Sequence, residues 1–207
     1  QYEQIEPEIQ SALGHVLGSG RFILGAEGEA FEAECAAYLG VNHAIGLGSG
    51  SDAIKLILHA LGVGPDTEVV TPAFSFVASA TTVVMAGAAP VFVDIDPATY
   101  TLDLAATERA ITPRTRAICL VDPVNPYGTV ATEDEAAALT ALAERHGLLL
   151  VHDVTHGLLA IDPDAPPVLA PAGEHAVATF SVSHCFGMAG ARLGFLAGPR
   201  TLMRGCL

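Results

Sequence analysis

The sequence has very little positive charge. Its 207 residues include a single lysine, Lys55, and the nine Lys and Arg residues together stand against 23 Asp and Glu residues, for a formal net charge of −14. Nucleic acids and anionic membrane surfaces are bound by clustered Lys and Arg, so this composition argues against both as partners. An anionic ligand would have to be held by backbone amides, hydroxyl groups and one or two arginines.

Paired cysteine motifs and long apolar runs are also missing. The four cysteines, at positions 35, 119, 185 and 206, show no C-x-x-C spacing, which argues against a zinc ribbon or a thioredoxin-like site. Their scatter is typical of reduced thiols, so we expect a cytoplasmic protein. No apolar run approaches the ~20 residues that a membrane span needs. The N-terminus lacks a basic-then-apolar signal pattern, and we expect no membrane association.

What is present is a regular alternation of apolar strand-like runs with alanine-rich helical stretches. This pattern is typical of a parallel sheet covered by helices on both faces. We therefore predict an α/β protein with three layers, α/β/α, and a mainly parallel sheet, formed by one domain over 26–207 with an N-terminal arm at 1–25. The predicted strands are 44–47, 68–71, 90–95, 117–121, 148–152, 176–180 and 194–197, and the predicted helices are 27–39, 52–62, 75–86, 103–111 and 132–145.

The run Gly-Ser-Gly-Ser at 48–51 follows the first predicted strand and precedes a predicted helix. Glycines allow close backbone approach, and the N–H groups at a helix N-terminus point toward an anion such as a phosphate. The alternative is an ordinary turn between a strand and a helix.

Residues 49–103, which include SGSDA at 49–53 and FSFVA at 74–78, closely resemble the DegT/DnrJ/EryC1/StrS sugar aminotransferases. This group is a branch of the fold-type I superfamily of pyridoxal-phosphate enzymes. The resemblance implies that Gly50 and Ser51 cradle the cofactor phosphate and that Phe76 stacks on the pyridine ring. The alternative for Phe76 is a phenylalanine of the core.

Residues 120–198 are more similar to the class I/II aminotransferases of the same superfamily. The run DPVNPYGT at 122–129 resembles their Asn-Pro-x-Asn-Pro-Thr-Gly-Thr turn, which implies that Asn125 donates a hydrogen bond to the ring hydroxyl oxygen of the cofactor. Asp122 departs from the first asparagine of that pattern. A plain turn before the helix at 132 is the alternative, because Asn-Pro and Tyr-Gly are turn-forming pairs.

The run HDVTH at 152–156 follows a predicted buried strand. It therefore lies at the carboxyl edge of the sheet, where open α/β folds bind ligands. The resemblance implies that Asp153 pairs with the protonated pyridine nitrogen, which keeps the ring an electron sink. It also places His156 where relatives carry a Tyr or Gln that contacts the ring oxygen. A metal site formed by His152, Asp153 and His156 is the competing interpretation.

The run SVSHCFGMAGARLG at 181–194 resembles the segment around the Schiff-base lysine of the superfamily. The resemblance implies that Ser181, Ser183 and Arg192 help to bind the phosphate, and His184 stands where the lysine belongs. An imidazole cannot form the stable covalent link with an aldehyde that a lysine amine forms. Lys55 is not expected to substitute, because it lies on the helix that follows the phosphate turn.

Two interpretations of His184 follow. One is a silent site, since the covalent link and the usual proton shuttle are both lost. The other comes from the sugar dehydratases of the superfamily, which also carry histidine at this position, hold pyridoxamine phosphate without a covalent link, and use the histidine to remove a proton from C4′ of the cofactor. An imidazole that titrates near neutrality suits that step.

Members of the superfamily continue beyond the lysine position into a C-terminal small domain that completes the substrate pocket. Residues 195–207 cannot replace it, so we expect a second chain or the rest of a longer polypeptide to supply it. The resemblance further implies a homodimer, because cofactor sites in the superfamily lie at the subunit interface.

The sequence thus predicts the large domain of a fold-type I enzyme that holds pyridoxal phosphate or pyridoxamine phosphate noncovalently. We predict that it acts on an amino or keto sugar or a related small metabolite, with His184 as the base and Asp153 as the ring-nitrogen partner. The alternative is a catalytically silent homologue that binds a ligand or a partner protein through the inherited fold.

Overall fold

A computed structural model describes residues 2–159 and 173–206 of the chain. Its centre is a seven-stranded sheet with the order β1-β7-β6-β5-β4-β2-β3. All neighbours are parallel except β7, which is antiparallel to both β1 and β6. The strands are β1 His43–Leu47, β2 Glu68–Pro72, β3 Ala89–Val93, β4 Thr115–Val121, β5 Leu149–Asp153, β6 Ala176–Ser181 and β7 Gly194–Gly198. The predicted mainly parallel sheet and all seven of its strands are confirmed.

The five predicted helices are all present, within three residues of their predicted bounds, and in the described residues the structure adds one helix before them and two short ones after them. The helices are α1 Tyr2–Ser19, α2 Ala26–Leu39, α3 Gly50–Ala60, α4 Ala78–Met85, α5 Leu104–Ala110, α6 Glu133–His146, α7 Val182–Cys185 and α8 Arg200–Met203. The sequence did not predict α1 as a helix. This helix contains Pro7 and has no buried residue. Its apolar residues Ile5, Ile9, Leu13 and Val16 recur at helical spacing, but Pro7 lacks the backbone N–H that a helix interior uses, which weakens the helix signal.

Local signals explain where the longer helices begin and end. The Thr132 side chain accepts a hydrogen bond from the Glu135 N–H, while the Glu135 carboxylate accepts one from the Thr132 N–H, so the two residues form a capping box for α6. Gly147 ends this helix in the left-handed conformation, with φ of 64°. Asp103 caps α5, because its side chain accepts a hydrogen bond from the Ala106 N–H. Each such cap stabilises its helix by about 1 kcal/mol.

The hydrophobic core lies on both faces of the sheet, which confirms the three-layer arrangement. On β5, Leu149 and Val151 pack with α3 residues such as Ile54. Leu150 points to the opposite face and packs with Leu142 of α6. Successive side chains of a strand alternate between faces, so a strand between two helical layers reads as a continuous apolar run.

Two further expectations concern the chain as a whole. All four cysteines are free thiols. Within residues 2–159 and 173–206, no helix combines the length and the apolar character that crossing a membrane requires.

Candidate active site

The predicted site residues lie along the carboxyl edge of the sheet. Gly50 and Ser51 follow β1, while Phe76 and Asn125 follow β2 and β4. Asp153 is the last residue of β5, and His156 lies beyond it. Ser181 is the last residue of β6, and His184 lies beyond it. Because β1, β6, β5, β4 and β2 all run in the same direction, their carboxyl ends meet at one edge. Arg192 joins them because β7 is antiparallel and begins at this edge.

The turn after β1 has the form of an anion cradle. Ser49 caps α3, its hydroxyl oxygen accepting from the Asp52 N–H at 3.1 Å and donating to the Asp52 carboxylate at 2.7 Å. Within the part of the chain that the structure describes, the N–H groups of Gly50 and Ser51 donate to no other group. They point outward from the helix N-terminus, where the dipole favours an anion.

Gly50 is held against the neighbouring strand ends. A Cβ at this position would lie 3.3 Å from Ser181 Cβ and 3.3 Å from Thr155 Oγ1. The cradle therefore adjoins the ends of β6 and β5, as the resemblance implied. Lys55 is exposed on the outer side of α3, consistent with its exclusion as a substitute lysine.

Gly194 is a site residue that the sequence did not reveal. It is the first residue of β7 and pairs with Leu47 on one side and Ser181 on the other. A Cβ there would lie 2.6 Å from the Ser49 carbonyl carbon, and 2.7 Å from both the Gly50 nitrogen and the Phe180 oxygen. All three are backbone atoms, so the anion cradle can lie on β7 only because residue 194 has no side chain.

We expect Gly194→Ala to destabilise the protein by about 1–3 kcal/mol or more, because rigid backbone atoms surround the new methyl group. The measurement is the free energy of unfolding in a denaturant titration. Gly28→Ala is the matched control, because a Cβ at position 28 on α2 meets nothing within 4 Å. That control should stabilise the protein slightly, and equal stabilities of the two variants would contradict the close packing of the cradle on β7.

Asp153 ends β5 and is oriented by two threonines. Its Oδ1 atom accepts from the Thr155 hydroxyl at 2.6 Å, the Thr155 N–H at 3.2 Å and the Thr179 hydroxyl at 3.3 Å. Its Oδ2 atom accepts no hydrogen bond from any described residue. One carboxylate oxygen therefore fixes the side chain, and the other is left for a ligand. The sequence signal for Thr155 was its spacing from Asp153, since an aspartate often bonds the backbone two residues on.

His156 and His184 are brought into direct contact. Their rings stack with centroids 4.8 Å apart and an interplanar angle of 28°. His156 is half-buried, whereas His184 is exposed. The pKa of His156 is lowered, first by burial and second by the like charge of His184, while the carboxylate of Asp153 opposes the shift. The sequence predicted both residues at this edge but not their contact.

The remaining residues predicted to bind the phosphate occupy different settings. Ser181 is buried, and its hydroxyl oxygen accepts from the Ser183 N–H at 3.2 Å to cap α7. Arg192 is exposed, has a left-handed backbone with φ of 53°, and donates to the Ala189 carbonyl at 3.2 Å. It also lines a cavity of about 810 Å³ together with Gly48, which places it beside the cradle.

Phe76 and Asn125 lie on the loops beyond β2 and β4. Phe76 is 51% exposed, so it is not a phenylalanine of the core, and its stacking role stays a prediction. Asn125 is half-buried in the turn after β4. Its role toward a ligand stays a prediction, as does the alternative of a plain turn.

His152 faces away from Asp153. Its Nε2 atom lies 3.2 Å from Asp122 Oδ2, and both residues are 3% exposed. Asp122 Oδ1 accepts from the Ala131 N–H at 3.0 Å, so this pair ties the turn after β4 to β5. No group of three or more His, Cys, Asp or Glu side chains in residues 2–159 and 173–206 is placed to hold a metal ion. The geometry therefore speaks against the metal site formed by His152, Asp153 and His156.

Comparison with known proteins identifies the family of the chain. Residues 3–186 match the DegT/DnrJ/EryC1/StrS aminotransferase family. The chain is 48% identical over 158 residues to a pleiotropic regulatory protein of Geobacillus stearothermophilus, covering 76% of this chain and 41% of that protein. It is 47% identical over 158 residues to dTDP-3-amino-3,4,6-trideoxy-alpha-D-glucose transaminase of Streptomyces venezuelae, covering 75% of this chain and 40% of the relative. The chain thus spans about two fifths of the length of these curated relatives.

Solved structures agree with the sequence match. DesV of S. venezuelae superposes with a TM-score of 0.80 at 37% identity, over 99% of this chain and 53% of DesV. NtdA of Bacillus subtilis, solved with the bound cofactor PMP, superposes with a TM-score of 0.79 at 29% identity, over 100% of this chain and 44% of NtdA. Both similarities extend over nearly the whole chain, including the site at the carboxyl edge.

Proposed function

The chain belongs to the DegT/DnrJ/EryC1/StrS aminotransferase family, and from this membership we propose that it holds pyridoxal phosphate or pyridoxamine phosphate without a covalent link. We propose further that the protein acts on an amino or keto sugar or a related small metabolite in a biosynthetic reaction, with His184 as the base that takes a proton from C4′ of the cofactor. The observation that carries this proposal is the order of groups along one edge of the sheet: an anion cradle at Gly50, the stacked His184, and the free carboxylate oxygen of Asp153.

The residues present fit a phosphorylated pyridine. The N–H groups of Gly50 and Ser51 are free to receive a phosphate, and a Cβ at position 50 would narrow the space beside Thr155. The free Oδ2 of Asp153 is an acceptor for a protonated ring nitrogen, and the exposed face of Phe76 suits an aromatic ring. Hydrogen bonds between charged partners are about twice as strong as neutral ones, so the two ends of the ligand would anchor it without a covalent link.

The chain's own groups then have distinct tasks. When bound, the cationic pyridine ring of the cofactor would stabilise the negative charge on the carbon that loses a proton. Asp153 keeps the ring nitrogen protonated, and the two threonines bonded to its Oδ1 fix the direction of its Oδ2. A ring nitrogen of His184 would accept the proton that leaves this carbon. A base with a pKa near the working pH is efficient in such a transfer.

The sugar substrate is proposed from the relatives. Their names include UDP-N-acetyl-3-dehydro-alpha-D-glucosamine 3-aminotransferase of Acidithiobacillus ferrooxidans, which is 43% identical over 157 residues. We also propose that residues 26–207 form the large domain and that residues 1–25 are an arm, with the rest of the substrate pocket supplied by a small domain elsewhere. Finally, we propose that the protein is a cytoplasmic homodimer. The helix α1 supports the dimer, because it is exposed and has no buried residue of its own.

Absorbance titration with pyridoxamine phosphate tests the proposal. We expect saturable binding of one equivalent per chain, with a shift of the near-ultraviolet band, and no covalent adduct after denaturation. A chain that binds neither pyridoxamine phosphate nor pyridoxal phosphate at millimolar concentration would refute the proposed function.

A second candidate is a catalytically silent homologue that binds a ligand or a partner. The relative named as a pleiotropic regulatory protein favours it, as does the replacement of the Schiff-base lysine by His184. Incubating the chain with pyridoxamine phosphate and a nucleotide-linked keto sugar distinguishes the two candidates. A sugar whose mass is unchanged despite saturable cofactor binding supports the silent homologue.

A further inference from the structure

The contact between His156 and His184 follows from the register of two parallel strands. β5 and β6 are neighbours, with Asp153 paired to Thr179. His156 lies three residues beyond the end of β5, and His184 lies three residues beyond the end of β6. The thiol of Cys185 donates to the Thr155 carbonyl at 3.1 Å, which ties α7 to the loop that carries His156. The stack is therefore held by backbone geometry on both sides.

The stack brings two basic rings so close together that a second positive charge is disfavoured. With ring centroids 4.8 Å apart, a proton on either ring disfavours a proton on the other, and such sites titrate as a coupled pair. His156 is the more buried ring, so the charged form costs more there. Among the described residues, the charged groups that act on it are His184, whose like charge disfavours a proton, and the carboxylate of Asp153, which favours one.

The ring orientation also argues against shared metal binding. Imidazole lone pairs lie in the ring plane, and two stacked rings inclined by only 28° keep those lone pairs in nearly parallel planes. Such lone pairs do not converge on one ion. The contact is therefore better suited to electrostatic coupling than to coordination.

We propose that His156 is a positioning residue that acts through His184: the stacked pair holds one proton at a time, and this proton resides on the more exposed ring of His184. This inference rests on the proposed function, in which His184 accepts a proton during the reaction. A neutral His156 beside it leaves that uptake unopposed and remains able to hydrogen-bond a ligand. A charged His156 would oppose the uptake of a proton by His184.

Nuclear magnetic resonance titration of the histidine side chains in the whole chain, without cofactor, tests this inference. We expect two separate transitions, with His156 titrating about one pH unit or more below His184. Single His→Gln variants assign the two signals. In His184→Gln the His156 transition should move to higher pH, because the like charge has been removed.

His184→Phe separates charge from burial, since it keeps a stacked ring over His156 but cannot carry a proton. It should raise the His156 transition as His184→Gln does. His59→Gln, on the exposed side of α3, is the matched control and should leave both transitions unchanged. A His156 transition that stays in place in His184→Phe would overturn the inference. Because no cofactor is present, this outcome is distinct from a failure to bind pyridoxamine phosphate.

Discussion

Replacing His184 by lysine is expected to give a protein that pyridoxal phosphate labels covalently. By the proposed assignment, the lysine amine would stand at the Schiff-base position, beside a cradle proposed to bind the phosphate and an aspartate proposed to pair with the ring nitrogen. Positioning of this kind raises the effective concentration of the aldehyde, so labelling should exceed that of an exposed lysine by roughly tenfold or more. Borohydride reduction followed by peptide mass spectrometry measures it.

The composition of the chain makes this experiment unusually clean. Lys55 is the only native lysine, so His184→Lys combined with Lys55→Arg leaves one side-chain amine in the protein. Arg145→Lys is the matched control, because residue 145 is an exposed position on α6, remote from the carboxyl edge. Labelling of position 184 no greater than that of position 145 would show that residue 184 does not face the aldehyde.

The second large effect is expected from Asp153→Asn. The amide oxygen can still accept from Thr155 and Thr179, as Oδ1 does now, while the negative charge at the free oxygen is lost. A hydrogen bond to a charged partner contributes about 1.5–3 kcal/mol. The dissociation constant for pyridoxamine phosphate should therefore rise roughly tenfold to hundredfold, as measured by absorbance titration.

Asp134→Asn is the control for Asp153→Asn, since it removes one carboxylate from the exposed first turn of α6. It should bind the cofactor as the wild type does. Thermal unfolding of both variants measures whether the fold is retained. If Asp153→Asn binds pyridoxamine phosphate with unchanged affinity, Asp153 does not pair with the ring nitrogen.

Much of the fold could be predicted from local sequence. The run LLLVH at 148–152 is mostly apolar because helices cover both sides of β5. Thr132 and Glu135 form a capping box that indicates the start of α6. The helix α1 was not predicted, although Ile5, Ile9, Leu13 and Val16 recur at helical spacing. It contains Pro7, which is unfavourable inside a helix, and it buries no residue.

The sequence by itself determined the residue types along the carboxyl edge: a glycine-rich turn, the aspartate at 153 and the histidine at 184. Strand direction places all of them at one edge, so their neighbourhood followed from the α/β pattern alone. Only the tertiary structure decided which of them touch. The need for Gly194, the pairing of Asp122 with His152 and the stacking of His156 on His184 depend on the register between strands far apart in sequence. No local pattern encodes that register, because it arises from the packing of the whole sheet.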